Sequence, residues 1–237
     1  MGISTKKGDE GFTSLYRGGR VPKYHLITET NGAVDEAVSH IGLGRSAAKE
    51  KRTKRILLQV QKDLFTVGAE ISTQKGQKRE LKNTITPIHV EWLEKLVDEF
   101  EEALALPPGF VAFGQNESAS HLDVARTAVR RAERLAVKMK SEGLVENPQL
   151  LRYLNRLSDL IFLLASFEES GSAKRQAVRR QLAISGWREP WYRRWFVIAG
   201  VFLVISAGVI VLLLLFHGQP EDESIQRHIE SMDTMHR

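Results

Sequence analysis

Residues 147–169 read NPQLLRYLNRLSDLIFLLASFEE, and this stretch decides the architecture. Asn147-Pro148 is a side-chain cap followed by a proline at the first helical position. Beyond it Leu150, Leu154, Leu157, Ile161 and Leu164 recur at spacings of three and four, which lines one face of an α-helix. The preceding segment repeats the rhythm with Leu122, Ala125, Val129, Ala132, Leu135 or Ala136, and Met139. Two adjacent helices with such seams bury them against each other, and this predicts a helical bundle.

Working outward, three more segments carry the same period. Val34, Val38 and Ile41 predict a helix from about Ala33 to Gly44. Leu57, Val60, Leu64 and Val67 predict one over about Lys49 to Ile71, followed by a polar loop. Thr86-Pro87 opens a third, which uses Leu93, Leu96, Val97, Phe100 and Leu104 and stops at Pro107-Pro108-Gly109. No segment sustains strand alternation. The expectation is an all-α, five-helix bundle over residues 1–170.

The most apolar stretch lies beyond that bundle. From Trp195 to Phe216 there are 22 residues without a charge, about 33 Å as a helix, enough to cross a bilayer core. Before it, residues 171–194 form a basic juxtamembrane linker, with Lys174, Arg175, Arg179, Arg180, Arg188, Arg193 and Arg194 against the single acid Glu189. After it, residues 217–237 form an acidic tail carrying Glu221, Asp222, Glu223, Glu230 and Asp233. The positive-inside rule then places the bulk domain on the cytoplasmic or mitochondrial-matrix side, with the mitochondrial inner membrane favoured. Trp187, Trp191, Tyr192 and Trp195 would form an interfacial aromatic belt.

Composition removes several chemistries. The 237-residue chain has no cysteine, which excludes disulfides, thiolate nucleophiles and iron–sulfur ligation. Its seven histidines are scattered without ligand spacing, so no metal site is expected. The net charge of +5 is concentrated beside the apolar run rather than on a recognition motif, which argues against nucleic acid.

Two groups of residues remain that can do chemistry. Arg126, Arg130 and Arg134 fall four apart on one helix edge, with Arg131 and Glu133 alongside. Guanidinium forks suit phosphate oxygens, although a solvated face of Arg–Glu pairs has the same pattern. On the last helix Asn155, Asp159 and Phe162 share a stripe opposite the leucine seam, where they can face that arginine edge. The opening Thr5-Lys6-Lys7-Gly8-Asp9-Glu10-Gly11-Phe12-Thr13-Ser14 has the glycines, hydroxyls and lysines of a phosphate-wrapping loop, without the Gly-Lys-Ser/Thr order of a Walker A motif.

Taken in order, these segments resemble the ATP:cob(I)alamin adenosyltransferases of the trimeric, five-helix type. The resemblance rests on Thr5 through Leu15, Gly19-Arg20-Val21-Pro22-Lys23, Gly32-Ala33-Val34-Asp35-Glu36, Leu64 through Glu70, Ala125 through Arg134, and Tyr153 through Asp159. It implies ATP and cobalamin as substrates, with Mg²⁺. It also implies that Thr5, Lys7, Gly8, Asp9, Thr13, Ser14 and Lys23 hold the triphosphate, and that Arg130, Glu133, Arg134 and Asn155 complete the nucleotide site. Arg130 and Phe110 take the catalytic roles, Phe110 helping to clear the lower face of the cobalt. Asp35 and Arg126 match a pair joining neighbouring subunits, which implies a homotrimer. A cobalamin reductase is a further implied partner.

The chain also departs from that family's pattern. Ile27, Val38 and Asp123 stand where Arg, Asn and His are usual, and Phe113-Gly114-Gln115 replaces Pro-Gly-Gly. Two readings therefore stay open. One is a membrane-anchored corrinoid adenosyltransferase. The other is a catalytically altered relative serving as an accessory subunit of a larger membrane assembly.

Overall fold

A computed structural model of the chain describes residues 6–73, 81–106 and 108–184. The expected transmembrane segment 195–216, the tail 217–237 and Thr5 lie outside the described residues, and so does most of the distal linker. Among the described residues no helix is long and apolar enough to cross a membrane.

Six helices occupy the described chain: α1 (Leu26–Ala47), α2 (Lys51–Ile71), α3 (Pro87–Leu104), α4 (Glu117–Ser141), α5 (Pro148–Glu169) and α6 (Ser172–Ile184). Helix α5 packs along α4 and α3, and α1 packs along both α4 and α2. Each of the five expected seams supplies residues to the core: Ile41, Leu57, Val60, Leu64, Leu93, Leu122, Val129, Leu154, Leu157 and Ile161 have no exposed surface, while Val38, Val97 and Leu135 are partly buried against it. Phe100 of α3 meets Phe167 of α5 edge to face, with centroids 5.5 Å apart.

Three expectations change. The fold is not purely helical, because β1 (Phe12–Ser14) and β2 (Arg20–Pro22) form an antiparallel hairpin pairing Thr13 with Val21. Strands of three residues are too short to display alternation in sequence. Val21 of β2 and Leu15, just after β1, are nonetheless buried, and the backbone N–H of Arg17 donates to the carbonyl of Ser72 at the end of α2.

Helix α1 starts at Leu26 rather than near Ala33. Asn31-Gly32 has the look of a breaker, yet the buried stripe Ile27, Thr30, Ala33, Val34, Ala37 and Ile41 runs straight through it, and tertiary burial overrides the roughly 1 kcal/mol cost of a mid-helix glycine. His25 caps the helix, its Nδ1 accepting from the Ile27 N–H at 3.2 Å. Gly44 does not terminate α1. It is where α1 and α4 approach most closely, since a Cβ there would lie 2.6 Å from Cδ2 of Leu122.

The proximal part of the expected linker is helical and docked. Val178 and Leu182 of α6, one turn apart, are buried, and Arg179 forks onto Glu50, its Nε donating to Oε2 at 2.7 Å and its NH2 to Oε1. The stretch is basic and has few apolar residues, but two of them at helical spacing suffice to seat a helix.

The helix ends are tied by side chains. At α3, the Thr86 N–H donates to His89 Nδ1 at 3.2 Å. At α5, Asn147 Oδ1 accepts from the Gln149 N–H at 3.0 Å, while its amide donates to the carbonyl of Ile85 and to Glu70. At α2 the capping group is remote. Glu168, 1% exposed, accepts the N–H of Lys49 at 3.0 Å and of Glu50 at 3.3 Å. Its neighbour Glu169 accepts from the Gln115 N–H at 2.9 Å.

Asp63 of α2 accepts from Gln59 Nε2 at 2.8 Å and from the Tyr153 hydroxyl of α5 at 3.1 Å. Burial pushes it up to about 7, against the opposing pull of those two hydrogen bonds.

Two predictions follow from these buried carboxyls. Because Asp63 holds its proton more tightly when folded than unfolded, its contribution to stability is present at low pH and is lost as pH rises from about 4 through about 7. Asp63→Asn should therefore flatten a decline in stability across that window, a loss of a few kcal/mol at most. Helical circular dichroism during denaturant unfolding at several pH values checks this, and a decline unchanged in the variant contradicts it. Glu168→Ala should leave the Lys49 and Glu50 N–H groups without their acceptor and lower stability by about 1–3 kcal/mol at every pH where the carboxylate is ionised. Denaturant midpoints measure it.

Candidate functional site

The sequence-predicted residues fall into two groups. The first is organised by the hairpin. Its strands bring Thr13 and Ser14 opposite Val21 and Arg20, and the Lys23 N–H closes the turn on the carbonyl of Gly11 at 2.8 Å. Gly11 has φ of 80°, a backbone conformation glycine adopts without strain. Arg20 NH2 donates to the carbonyl of Lys7 at 2.6 Å. The ammonium of Lys23 lies over Gly8, where a Cβ would come within 3.1 Å of its Nζ. Lys6, Lys7, Asp9, Ser14 and Lys23 are exposed and Thr13 half-buried, so the loop presents three ammonium groups and two hydroxyls to solvent.

The second group lies between α4 and α5. Arg126 and Arg130 line a cavity of about 680 Å³ together with Ser158, Asp159 and Phe162 from α5. The stripe opposite the leucine seam does face the arginine edge, and Asp159 supplies the carboxylate in that wall. Deeper along the two helices, Asn155 Nδ2 donates to Glu133 Oε1 at 3.0 Å. Arg134 turns back on its own helix, donating to the carbonyl of Arg130 at 3.1 Å. Arg131 leaves the cluster to pair with Glu36 of α1.

Parts of the cavity wall were not legible in sequence. The end of α3 supplies Val97 and Glu101, and the following loop supplies Ala105, Leu106, Gly109 and Val111. Val97 and Glu101 are one turn apart, but nothing in the sequence distinguishes that acid from its neighbours on the helix surface. The loop is anchored at its C-terminal end, by Phe113 against Phe162 at 5.6 Å between centroids and by Gln115 on Glu169. Phe110, between two lining residues, is fully exposed at the apex of the loop.

Asp35 is exposed on α1, and Arg126 is held within its own helix by Asp123, Nε to Oδ1 at 2.9 Å. Within one copy these two expected partners do not pair. Among the described residues no hydrogen bond joins the hairpin group to the α4–α5 group. No cluster of three His, Asp or Glu that could hold a metal occurs among them either.

Comparison with known proteins bears on this arrangement. The family described as Cobalamin adenosyltransferase matches residues 3–168, which contain both groups and end before α6. A corrinoid adenosyltransferase of Citrobacter freundii is 37% identical over 169 residues, 71% of this chain and 95% of that protein. The corrinoid adenosyltransferase PduO of Salmonella typhimurium is longer: it is 35% identical over 179 residues, which are 76% of this chain and 53% of that protein. Among solved structures, a variant PduO-type ATP:corrinoid adenosyltransferase from Lactobacillus reuteri, complexed with cobalamin and ATP, superposes with a TM-score of 0.65 at 28% identity, covering 76% of this chain and 93% of that one. The match across both groups of residues, together with these relatives, shows that the chain belongs to the cobalamin adenosyltransferase family.

Proposed function

We propose that this chain is a membrane-anchored ATP:corrinoid adenosyltransferase that works as a homotrimer. The observation that carries the reading is the cavity between α4 and α5, in which Arg126 and Arg130 face Ser158 and Asp159 beside the loop bearing Phe110. A solved relative is complexed with cobalamin and ATP, and its likeness covers 76% of this chain.

In the reaction, the electron pair of reduced cobalt attacks the 5′ carbon of ATP. The carbon–oxygen bond breaks, triphosphate leaves with that bond's electrons, and a cobalt–carbon bond forms. The protein's part is positioning and charge stabilisation. Lys7, Lys23 and the backbone of Gly8 and Asp9, with the Thr13 and Ser14 hydroxyls, would hold the triphosphate. Arg130 would neutralise the charge that accumulates on the leaving group, and Glu133 and Asn155 would keep the α4–α5 face in register. Mg²⁺ is commonly bound through substrate phosphates, water and one or two carboxylates, a demand that the loop's Asp9 can meet. Phe110, exposed and on an anchored loop, would press on the corrinoid and exclude a lower ligand from cobalt.

The separation of the two groups within one copy supports a trimer, because a neighbouring copy can bring its hairpin to the α4–α5 face. Asp35 is free to reach the neighbour's Arg126. In this chain Asp123 competes for that guanidinium, which weakens the subunit contact.

The apolar run 195–216, with cations before it and acids after it, supports a single-pass anchor with the bulk domain on the cytoplasmic or matrix side, the mitochondrial inner membrane being one such setting. A tether of this kind suits an enzyme fed by a membrane-associated reductase that supplies reduced cobalt.

The full chain in detergent, given ATP, Mg²⁺ and chemically reduced cobalamin, should consume the reduced-cobalt absorbance and form the alkylcobalt spectrum. Arg130→Ala should lower kcat by on the order of 10²-fold or more, as expected for a lost charge-stabilising donor. ATP binding by calorimetry without turnover in the unmodified chain would instead place it as a nucleotide-binding accessory subunit. Asp35→Arg should shift sedimentation from trimer toward monomer and weaken ATP binding together, whereas a variant that remains trimeric removes the proposed subunit pair.

A further inference from the structure

Helix α6 lies beyond residue 168, where the family match ends, so the family's chemistry does not account for it. Its 13 residues carry Lys174, Arg175, Arg179 and Arg180 and no acid. Docked through Val178 and Leu182, it forms a second cavity of about 570 Å³ with the start of α2. Lys49, Lys51, Arg52, Arg55 and Arg179 line this cavity, over apolar surface from Phe167, Leu182 and Ala183.

The one acid in the wall, Glu50, is already satisfied. It is 7% exposed and engaged by Arg179, with Arg175 Nε 3.7 Å away. Its charge therefore cannot neutralise the rim. Lys49, Lys51 and Lys54 are exposed, and among the described residues they enter no ion pair. A concentration of unpaired cations on one face is costly in self-repulsion and is relieved by an anionic partner.

The chain itself indicates which partner. Eleven residue steps separate Ile184 from Trp195, a reach of at most about 40 Å at 3.3–3.6 Å per residue. Three further cations, Arg188, Arg193 and Arg194, lie in that interval. If residues 195–216 span a bilayer, the cationic face is tethered within this distance of the headgroups on the same side. Juxtamembrane clusters of lysine and arginine bind anionic lipid surfaces.

We propose that the cationic face formed by the start of α2 and by α6 docks the domain on anionic phospholipid headgroups, with Lys49, Lys51 and Lys54 meeting lipid phosphates. This rests on the membrane-anchored reading given above. It adds to that reading a defined orientation of the domain, with the α2–α6 edge toward the bilayer.

The absence of native cysteine makes a single-site probe straightforward. The full chain carrying Ala183→Cys, labelled with an environment-sensitive fluorophore, would be placed in nanodiscs of phosphatidylcholine alone or of phosphatidylcholine with phosphatidylglycerol. Each would contain a headgroup-nitroxide lipid as quencher. Quenching should be several-fold stronger in the anionic discs. It should fall to the neutral-lipid level in Lys49→Gln/Lys51→Gln/Lys54→Gln, and also when added salt shortens the Debye length from about 10 Å to about 3 Å. Unchanged helical circular dichroism would show that the triple variant is folded. Equal quenching in both lipids, or quenching indifferent to the triple substitution, overturns the proposal. So does an emission change produced by inorganic phosphate in phosphatidylcholine discs, which would make the cavity a small-anion site. Flotation of the full chain with phosphatidylcholine vesicles reads the anchor separately. A chain that floats but shows no lipid-dependent quenching fails only here, and one that does not float fails the anchored reading as well.

Discussion

Helix α5 cannot exist by itself. From Leu150 to Glu168 its buried residues lie on nearly every side, so each face needs a neighbour to cover it. Helix α4 covers one side and α3 another, the Tyr153 hydroxyl reaches Asp63 of α2, and Glu168 at the far end takes the first N–H groups of the α2 segment. Most of what is specific about the bundle is the set of ways in which other elements satisfy this helix.

That constraint also shapes the site. A helix wrapped in apolar contacts has little room for polar groups, and three that it carries, Asn155, Ser158 and Asp159, fall where α4 presents Arg126, Arg130 and Glu133. The arginine edge is thus held against a fixed wall. Rotation of α4 would disturb the Gly44–Leu122 approach to α1, where an added Cβ would force Leu122 to shift, so the guanidinium groups are aimed by packing away from the cavity itself. The Asp123–Arg126 pair and the Phe113–Phe162 contact sit at the edges of the same wall.

Helix α6 extends the same logic beyond the family's boundary. Two apolar residues seat it, and one buried acid, Glu50, orients it through arginine forks. Its remaining cations are displayed outward. A helix with so little apolar surface is stabilised mainly by what it docks onto, so its geometry and the cationic face it creates belong to the fold rather than to local propensity.

The long, regular seams were legible because the helical period repeats over about three to five turns: Leu150 to Leu164, Leu122 to Met139 and Leu57 to Val67 each announced both an element and its buried face. The caps at Thr86 and Asn147 were equally local, since a cap depends on residues within one turn of it. Candidate phosphate-binding residues could be nominated from residue type and order. Contacts between residues far apart in the chain were decided by tertiary structure. Among them are the hairpin that places Lys23 over Gly8, the passage of α1 through Asn31-Gly32, the remote cap from Glu168, and the contribution of Val97 and Glu101 to the cavity. In each case the deciding energy is burial or a hydrogen bond between segments separated by up to 119 residues, and a local pattern of side chains carries no record of the partner it will meet.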